Sequence, residues 1–214
     1  VVADPEGGLD PGAERVAQEL VSPRGLHTGE QPISQLDERG LDAIAGFSQL
    51  VDFTIDADPI WSSRAGVECM EKLKNLRHLQ MNVSKNGRDF AKSDLVEVLL
   101  GLKELRYLEM PSDGLSAAAI ERLSTHPRLA ELRLDSATGQ IGSRQLAWFV
   151  GMQNLRDLYI ACEPTITDDD VLALVKCPRL ERLTICTEAQ INCQRQFRKL
   201  RPDCFFYLRG LDDR

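Results

Sequence analysis

The chain has 214 residues, 43% of them hydrophobic and 28% charged, the balance of an ordinary folded domain. Its 26 Lys and Arg against 33 Asp and Glu leave a net charge of -7, which argues against nucleic acid or an anionic membrane surface as the main partner, because both reward clustered positive charge. No apolar run approaches the roughly 20 residues that span a bilayer, so no membrane insertion is expected.

Residues 1–33 carry Asp4-Pro5-Glu6-Gly7-Gly8 and Asp10-Pro11-Gly12, then Pro23, Gly25, Gly29 and Pro32. These turn formers interrupt any periodicity, apart from a short helix expected from Ala13 to Val21. The segment is read as an N-terminal arm and cap, with a degenerate first unit at Leu26, ahead of a repeat domain over 34–214. Because the sequence starts at Val1, a processed protein or an excised domain is expected.

From Leu36 onward one phrase of the form L-x-x-L-x-L recurs, clearest at Leu129-Ala130-Glu131-Leu132-Arg133-Leu134. Its copies begin at Leu50, Leu76, Leu105, Leu129, Leu155 and Leu180, at periods of 26, 29, 24, 26 and 25 residues. Nine residues ahead of each copy stand Leu41, Val67, Val96, Ile120, Leu146 and Val171. Six ahead stand Ile44, Met70, Leu99, Leu123, Phe149 and Leu174, and three ahead Phe47, Leu73, Leu102, His126, Met152 and Cys177. A spacing of three over about ten residues puts these side chains on one face of a helix, at 3.6 residues per turn. The leucines of the phrase alternate with polar residues, as in a strand with one buried face. Each unit is therefore expected to be one strand and one helix, unable to bury its apolar face alone and obliged to stack on its neighbours.

Helix starts carry capping residues at Ser63, Asp94 with Glu97, Ser116, Ser143, and Thr167 with Asp170. Pro127 and Pro178 end two helices ahead of their strands. His126, in an apolar position before Pro127, is expected to be a half-buried helix-end residue, and Trp148 to be partly packed. After Cys186 the pattern decays. Phe197 and Leu200 still fit helix positions, Phe206 falls 26 residues after Leu180, and the run Phe205-Phe206-Tyr207-Leu208 is expected to cover the last core layer, in a C-terminal cap from about residue 191. The six cysteines form no C-x-x-C pair and no zinc spacing, and several occupy small apolar positions. Reduced thiols in a reducing compartment are expected, with a Cys186–Cys193 closure left open.

The stretch from Thr167 through Val171, Leu174, Cys177 and Leu180 to Cys186 resembles the cysteine-containing leucine-rich repeats of F-box-type adaptors and bacterial repeat proteins, and the resemblance extends over about residues 36–208. It implies an α/β right-handed solenoid, a horseshoe with a parallel sheet on the concave side and helices on the convex side. The sequence departs from that pattern where an Asn or Cys should follow each phrase. Asn82 and Cys162 stand near the place, but Pro111, Asp135 and Glu163 do not match. No F-box stretch precedes the repeats, so no ubiquitin-ligase role carries over.

Alternation assigns the residues between the leucines to the open face of the sheet. In order these are Asp52, Thr54 and Asp56; His78, Gln80 and Asn82; Tyr107 and Glu109; Glu131, Arg133 and Asp135; Asp157 and Tyr159; Arg182 and Thr184. Tyrosine and arginine recur at interface hot spots, since each offers a large area with little entropy to lose. The expected function is thus a non-catalytic module that binds a protein partner through the concave face at Asp52, His78, Gln80, Tyr107, Glu109, Glu131, Arg133, Asp157, Tyr159 and Arg182, with adjoining loops at 56–63 and 82–93 contributing, the latter through Lys85, Arg88 and Lys92. Trp61 in the former is read in preference as packed on the core edge. The alternative is a structural subunit docking through convex helices or terminal segments.

No enzyme activity is expected. His78 could be oriented by Asp52 on the neighbouring strand, but no serine or cysteine at the phrase spacing supplies a nucleophile. No metal or cofactor is expected either. The run Asp168-Asp169-Asp170 begins a helix, where the dipole favours negative charge, and lacks the alternating ligands and glycine turn of a calcium loop. No glycine motif cradles phosphate.

Overall fold

The structure, a computed structural model, describes residues 21–22, 25–26, 38–56, 63–82, 93–136 and 139–211. Strands β1 (Val21–Ser22) and β2 (Gly25–Leu26) lead into a strict alternation. It runs α1 (Glu38–Ala45), β3 (Asp52–Asp56), α2 (Arg64–Lys72), β4 (His78–Asn82), α3 (Ser93–Gly101), β5 (Tyr107–Pro111) and α4 (Ala117–Leu123). It continues through β6 (Glu131–Asp135), α5 (Ser143–Phe149), β7 (Asp157–Ala161), α6 (Asp168–Ala173), which tightens into a 3₁₀ turn at Leu174–Lys176, then β8 (Arg182–Cys186), α7 (Gln194–Leu200) and β9 (Phe205–Arg209). Of the helix expected from Ala13 to Val21, only Val21 is among the described residues, and it lies in β1.

All nine strands form one sheet in sequence order, antiparallel between β1 and β2 and parallel from β2 to β9. Such an order has no reversal point. Crossovers of one hand that always advance in one direction leave every helix on the same side, unlike a doubly wound sheet whose two directions cover both faces. The result is a solenoid-like stack of strand–helix units with one sheet face against the helices and one open.

Between these layers lies the core. Leu79, Leu108, Leu132, Leu158 and Leu183 from successive strands, and Met70, Leu99, Leu123, Phe149 and Leu174 from the helices, are all 0% exposed. These are the phrase and helix-face positions read from the spacing, because a side chain must point at the other layer to leave water. Backbone hydrogen bonds join the units at the strand starts. The carbonyl just before a strand accepts two N–H groups from the next unit: Val51 from Arg77 and His78, Arg77 from Arg106 and Tyr107, Arg106 from Ala130 and Glu131, Ala130 from Arg156 and Asp157, and Arg156 from Glu181 and Arg182. The five junctions from β3–β4 to β7–β8 are thereby tied at the strand start.

Ser63 and Ser116 accept the N–H of Gly66 and Ala119, as helix caps should, and Thr167 with Asp170 forms a reciprocal capping box. Two expected caps differ. Ser143 lies inside α5 and gives its hydroxyl to Asp170 of the next helix at 2.7 Å, while Gly142 precedes the helix without a side-chain cap. The third helix begins at Ser93, one residue ahead of Asp94, and Glu97 reaches Arg122 on α4 at 2.5 Å. All six cysteines are buried free thiols. Burial pushes Cys69, Cys177, Cys193 and Cys204 up to about 11, which keeps them protonated and unreactive at neutral pH.

His126 is buried more deeply than expected, at 5% exposure. Its Nε2 lies 3.2 Å from the Leu102 carbonyl at the end of α3, and its Nδ1 accepts the Arg128 N–H at 3.3 Å. That pattern needs the neutral Nε2–H tautomer, and burial holds the imidazole below its ordinary pKa. Above about pH 6.5 the group is neutral in folded and unfolded chains alike; below it the unfolded chain gains a proton that the folded chain refuses, so stability falls as pH falls. The urea midpoint of the wild type should therefore drop more steeply between about pH 7 and about pH 5.5 than that of His126→Leu. Parallel slopes would remove His126 as the source.

Candidate functional site

Because strands pair in register, the open-face residues line up in rows across the sheet. One row runs Asp52, His78, Tyr107, Glu131, Asp157, Arg182 and Phe205. The other runs Thr54, Gln80, Glu109, Arg133, Tyr159, Thr184 and Tyr207. Every residue assigned to this face from alternation falls in one of these rows, or, for Asp56, Asn82 and Asp135, in a third beside them.

The middle of the face is a connected set of side chains. His78 stacks on Tyr107 with ring centroids 3.8 Å apart and planes 15° from parallel. Tyr107 donates its hydroxyl to Glu109 Oε2, and that same oxygen lies 4.0 Å from Arg133 Nη1. Arg133 stands over the Tyr159 ring with its Cζ 5.5 Å from the centroid, and the Tyr159 hydroxyl accepts from Cys186 Sγ at 3.2 Å. The chain of contacts thus crosses β4, β5, β6, β7 and β8. Burial, aided by the Glu109 carboxylate, raises the Tyr107 hydroxyl well above its ordinary range, so it stays a neutral donor.

Beside this set, Asp157 is 6% exposed and is neutralised by Arg182 Nη1, whose side chain remains 55% exposed. Truncating Arg182 would leave a buried carboxylate unpaired, so this pair anchors the β7–β8 edge of the row. The geometry separates the sequence-derived residues into groups. His78, Tyr107, Glu109, Arg133 and Tyr159 are joined, Asp157 and Arg182 form a second unit, and Asp52, Gln80 and Glu131 lie beside them in the same rows.

Two members of the face were misplaced by sequence reasoning. Phe205 and Tyr207 do not cover the core; they are 68% and 48% exposed and terminate the two rows on β9. Only Phe206, at 2% exposure, and the partly buried Leu208 turn inward, and Leu200 is 54% exposed rather than a core residue. The reason is register. Phe206 pairs with Leu183, the second leucine of its phrase, not with Leu180, so the last spacing is 23 residues (206 less 183) and Asp203 occupies the first-leucine place. A search at that period, with Phe206 and Leu208 as second and third apolar positions, would have found the alternation.

No protein-family model matches the chain, and no curated protein is significantly similar to it. The use of the face is read from its chemistry. The His78 ring lies flat on Tyr107 and the cysteine nearest to the network, Cys186, is buried with its Sγ turned to Tyr159. Among the described residues no group of three His, Cys, Asp or Glu is placed to hold a metal ion. In the acidic run, Asp170 serves the Thr167 cap, and Asp168 accepts the Asn192 and Cys193 N–H groups of the next unit. No helix among the described residues is long and apolar enough to cross a membrane. The loops at 57–62 and 83–92, with Trp61, Lys85, Arg88 and Lys92, lie outside the described residues.

Proposed function

We propose that the chain is a leucine-rich-repeat module, a right-handed horseshoe whose sheet lines the concave side, and that it binds a protein partner there without catalysing a reaction. The observation that supports this reading is the connected set from His78 to Tyr159 on the sheet face that no described helix covers. Aromatic and guanidinium groups already held by neighbours lose little freedom when a partner arrives, which is the condition for hot-spot binding. The open face of a parallel sheet needs only small polar residues to be solvated. A row of large side chains braced against one another exceeds that need.

With the partner captured on the wild-type domain, Tyr159→Ala should weaken its Kd by roughly thirtyfold, about 2 kcal/mol, in titration calorimetry. Tyr107→Ala should act in the same direction, with melting curves confirming that both variants fold. Unchanged dissociation constants for both would dispose of the reading. Deletion of residues 1–33 tests the alternative of a structural subunit, since loss of assembly on that deletion would move the contact away from the concave face.

A further inference from the structure

We infer that the open face takes a basic segment of a partner protein, with a Lys or Arg seated against Glu131 and an apolar side chain seated on Phe205 and Tyr207. The inference rests on the binding role proposed for this face and adds the chemistry of what is bound. Its basis is the way charge is already used there. Arg133 is engaged by Glu109, and Arg182 by Asp157. Among the described residues no cation pairs with Glu131, which is exposed between Tyr107 and Asp157 in its row. A second cation brought to this point meets an exposed carboxylate that no described cation engages, next to Tyr107 in the row, and the net charge of -7 steers it in.

The other end of the face has the opposite character. Phe205 and Tyr207 stand on one side of β9, 68% and 48% exposed, with Arg182 beside Phe205 in its row and Arg209 two residues beyond Tyr207. An apolar side chain can rest on the two rings, but a cation placed there would face Arg209, with Arg182 already held by Asp157. The bound segment therefore has one polarity, basic over β6 and uncharged over β9. From β6 to β9 are three strand spacings, about 14 Å at ~4.8 Å each, which an extended chain covers in about four residues. The recognised pattern is a basic residue and an apolar residue four positions apart.

Selection of phage-displayed random twelve-residue peptides on the purified domain tests this directly. Enriched peptides are expected to carry Lys or Arg about four positions from Phe, Leu, Ile or Trp. Their affinity by fluorescence anisotropy should fall about tenfold on Glu131→Lys and about thirtyfold on the double variant Phe205→Ser/Tyr207→Ser. Glu121→Lys, on the exposed side of α4, should leave it unchanged. All three variants change exposed side chains, and retained melting temperatures verify the fold. Peptides that enrich as acidic sequences, or that bind Glu131→Lys as well as wild type, overturn the inference, as does the absence of any enrichment. Loss of peptide binding on Tyr159→Ala but not on Glu131→Lys overturns it while leaving the binding face intact; indifference to both removes both readings.

Discussion

Replacement of Gly139 by alanine is expected to lower the unfolding free energy by about 3 kcal/mol or more, read as a shift of the urea midpoint at constant slope. Two penalties add. Gly139 has φ +66°, a left-handed conformation that costs a residue with a Cβ roughly 1–2 kcal/mol. A Cβ at this point would also lie 2.3 Å from the Cys162 carbonyl oxygen and 2.9 Å from its carbon, and both are backbone atoms that cannot rotate away. Moving them would disturb the next unit, because the Ile141 N–H donates to the Ala161 carbonyl, the Glu163 N–H to that of Ile141, and Ile141 bridges to Cys162. Gly139 is further held by its N–H to Ser136 Oγ at 3.1 Å, whose own hydroxyl reaches Asp113 at 2.6 Å. Gly142→Ala is the control. Its Cβ would meet the ends of the Glu163 and Gln145 side chains at 3.0 and 3.2 Å, which can turn aside, so a loss below about 1 kcal/mol is expected. Equal losses at the two glycines would mean that the approach to Cys162 is not what matters.

Arg201→Met should cost about 3 kcal/mol, while Asp203→Ala should leave stability nearly unchanged. In the inner units the carbonyls at the ends of helices find donors on the following unit. The Leu102 carbonyl has His126, that of Phe149 has Cys177 Sγ, and that of Pro127 has Asn154. After α6 the same need is met by one guanidinium. Arg201, its side chain only 14% exposed, donates through Nη1 to the carbonyls of Val175 and Cys177 at 3.1 and 2.6 Å and through Nη2 to that of Leu180 at 2.7 Å. Methionine keeps the packing of the stem but orphans these acceptors, and a lysine has no fork with which to span them. Asp203 also pairs with Arg201, at 3.1 Å, but is 66% exposed, where an ion pair contributes little. Thermal unfolding of both variants separates the two roles. If Arg201→Met melts like Asp203→Ala, the carbonyls are satisfied without the guanidinium.

Much of the open face was legible because a strand's alternation and the recurrence of L-x-x-L-x-L specify which residues share a side. Asp52, His78, Tyr107, Glu131, Asp157 and Arg182 were assigned to one side from that pattern, and the register makes them neighbours in one row. Legibility ended where the phrase lost its first leucine. At β9 the choice between aligning Phe206 with Leu180 or with Leu183 decides whether Phe205 and Tyr207 are exposed, and either choice satisfies an apolar count. A shift of three places, being odd, inverts every side chain of a strand. Ser143 and Glu97 illustrate a second limit. Both are acceptable capping residues by type, yet each finds a partner on the adjacent helix, about 25 residues away in sequence.

The sequence alone determined most of the side chains that leave water: the leucines of the strands, and the apolar residues three, six and nine places ahead of them, although Phe47, Leu50 and Val67 are only half-buried. Burial repeats with the geometry of strand and helix, and a local period is enough to read it. The tertiary structure alone decided what those positions do together. It brought Tyr107 and Arg133 to one carboxylate on Glu109, seated His126 under the end of α3, set Arg201 beneath the last turn and turned Phe205 and Tyr207 outward. Such contacts join units more than twenty residues apart through the direction of individual side chains. A repeat period specifies which units are neighbours, whereas those directions are set by the packing of one unit against the next.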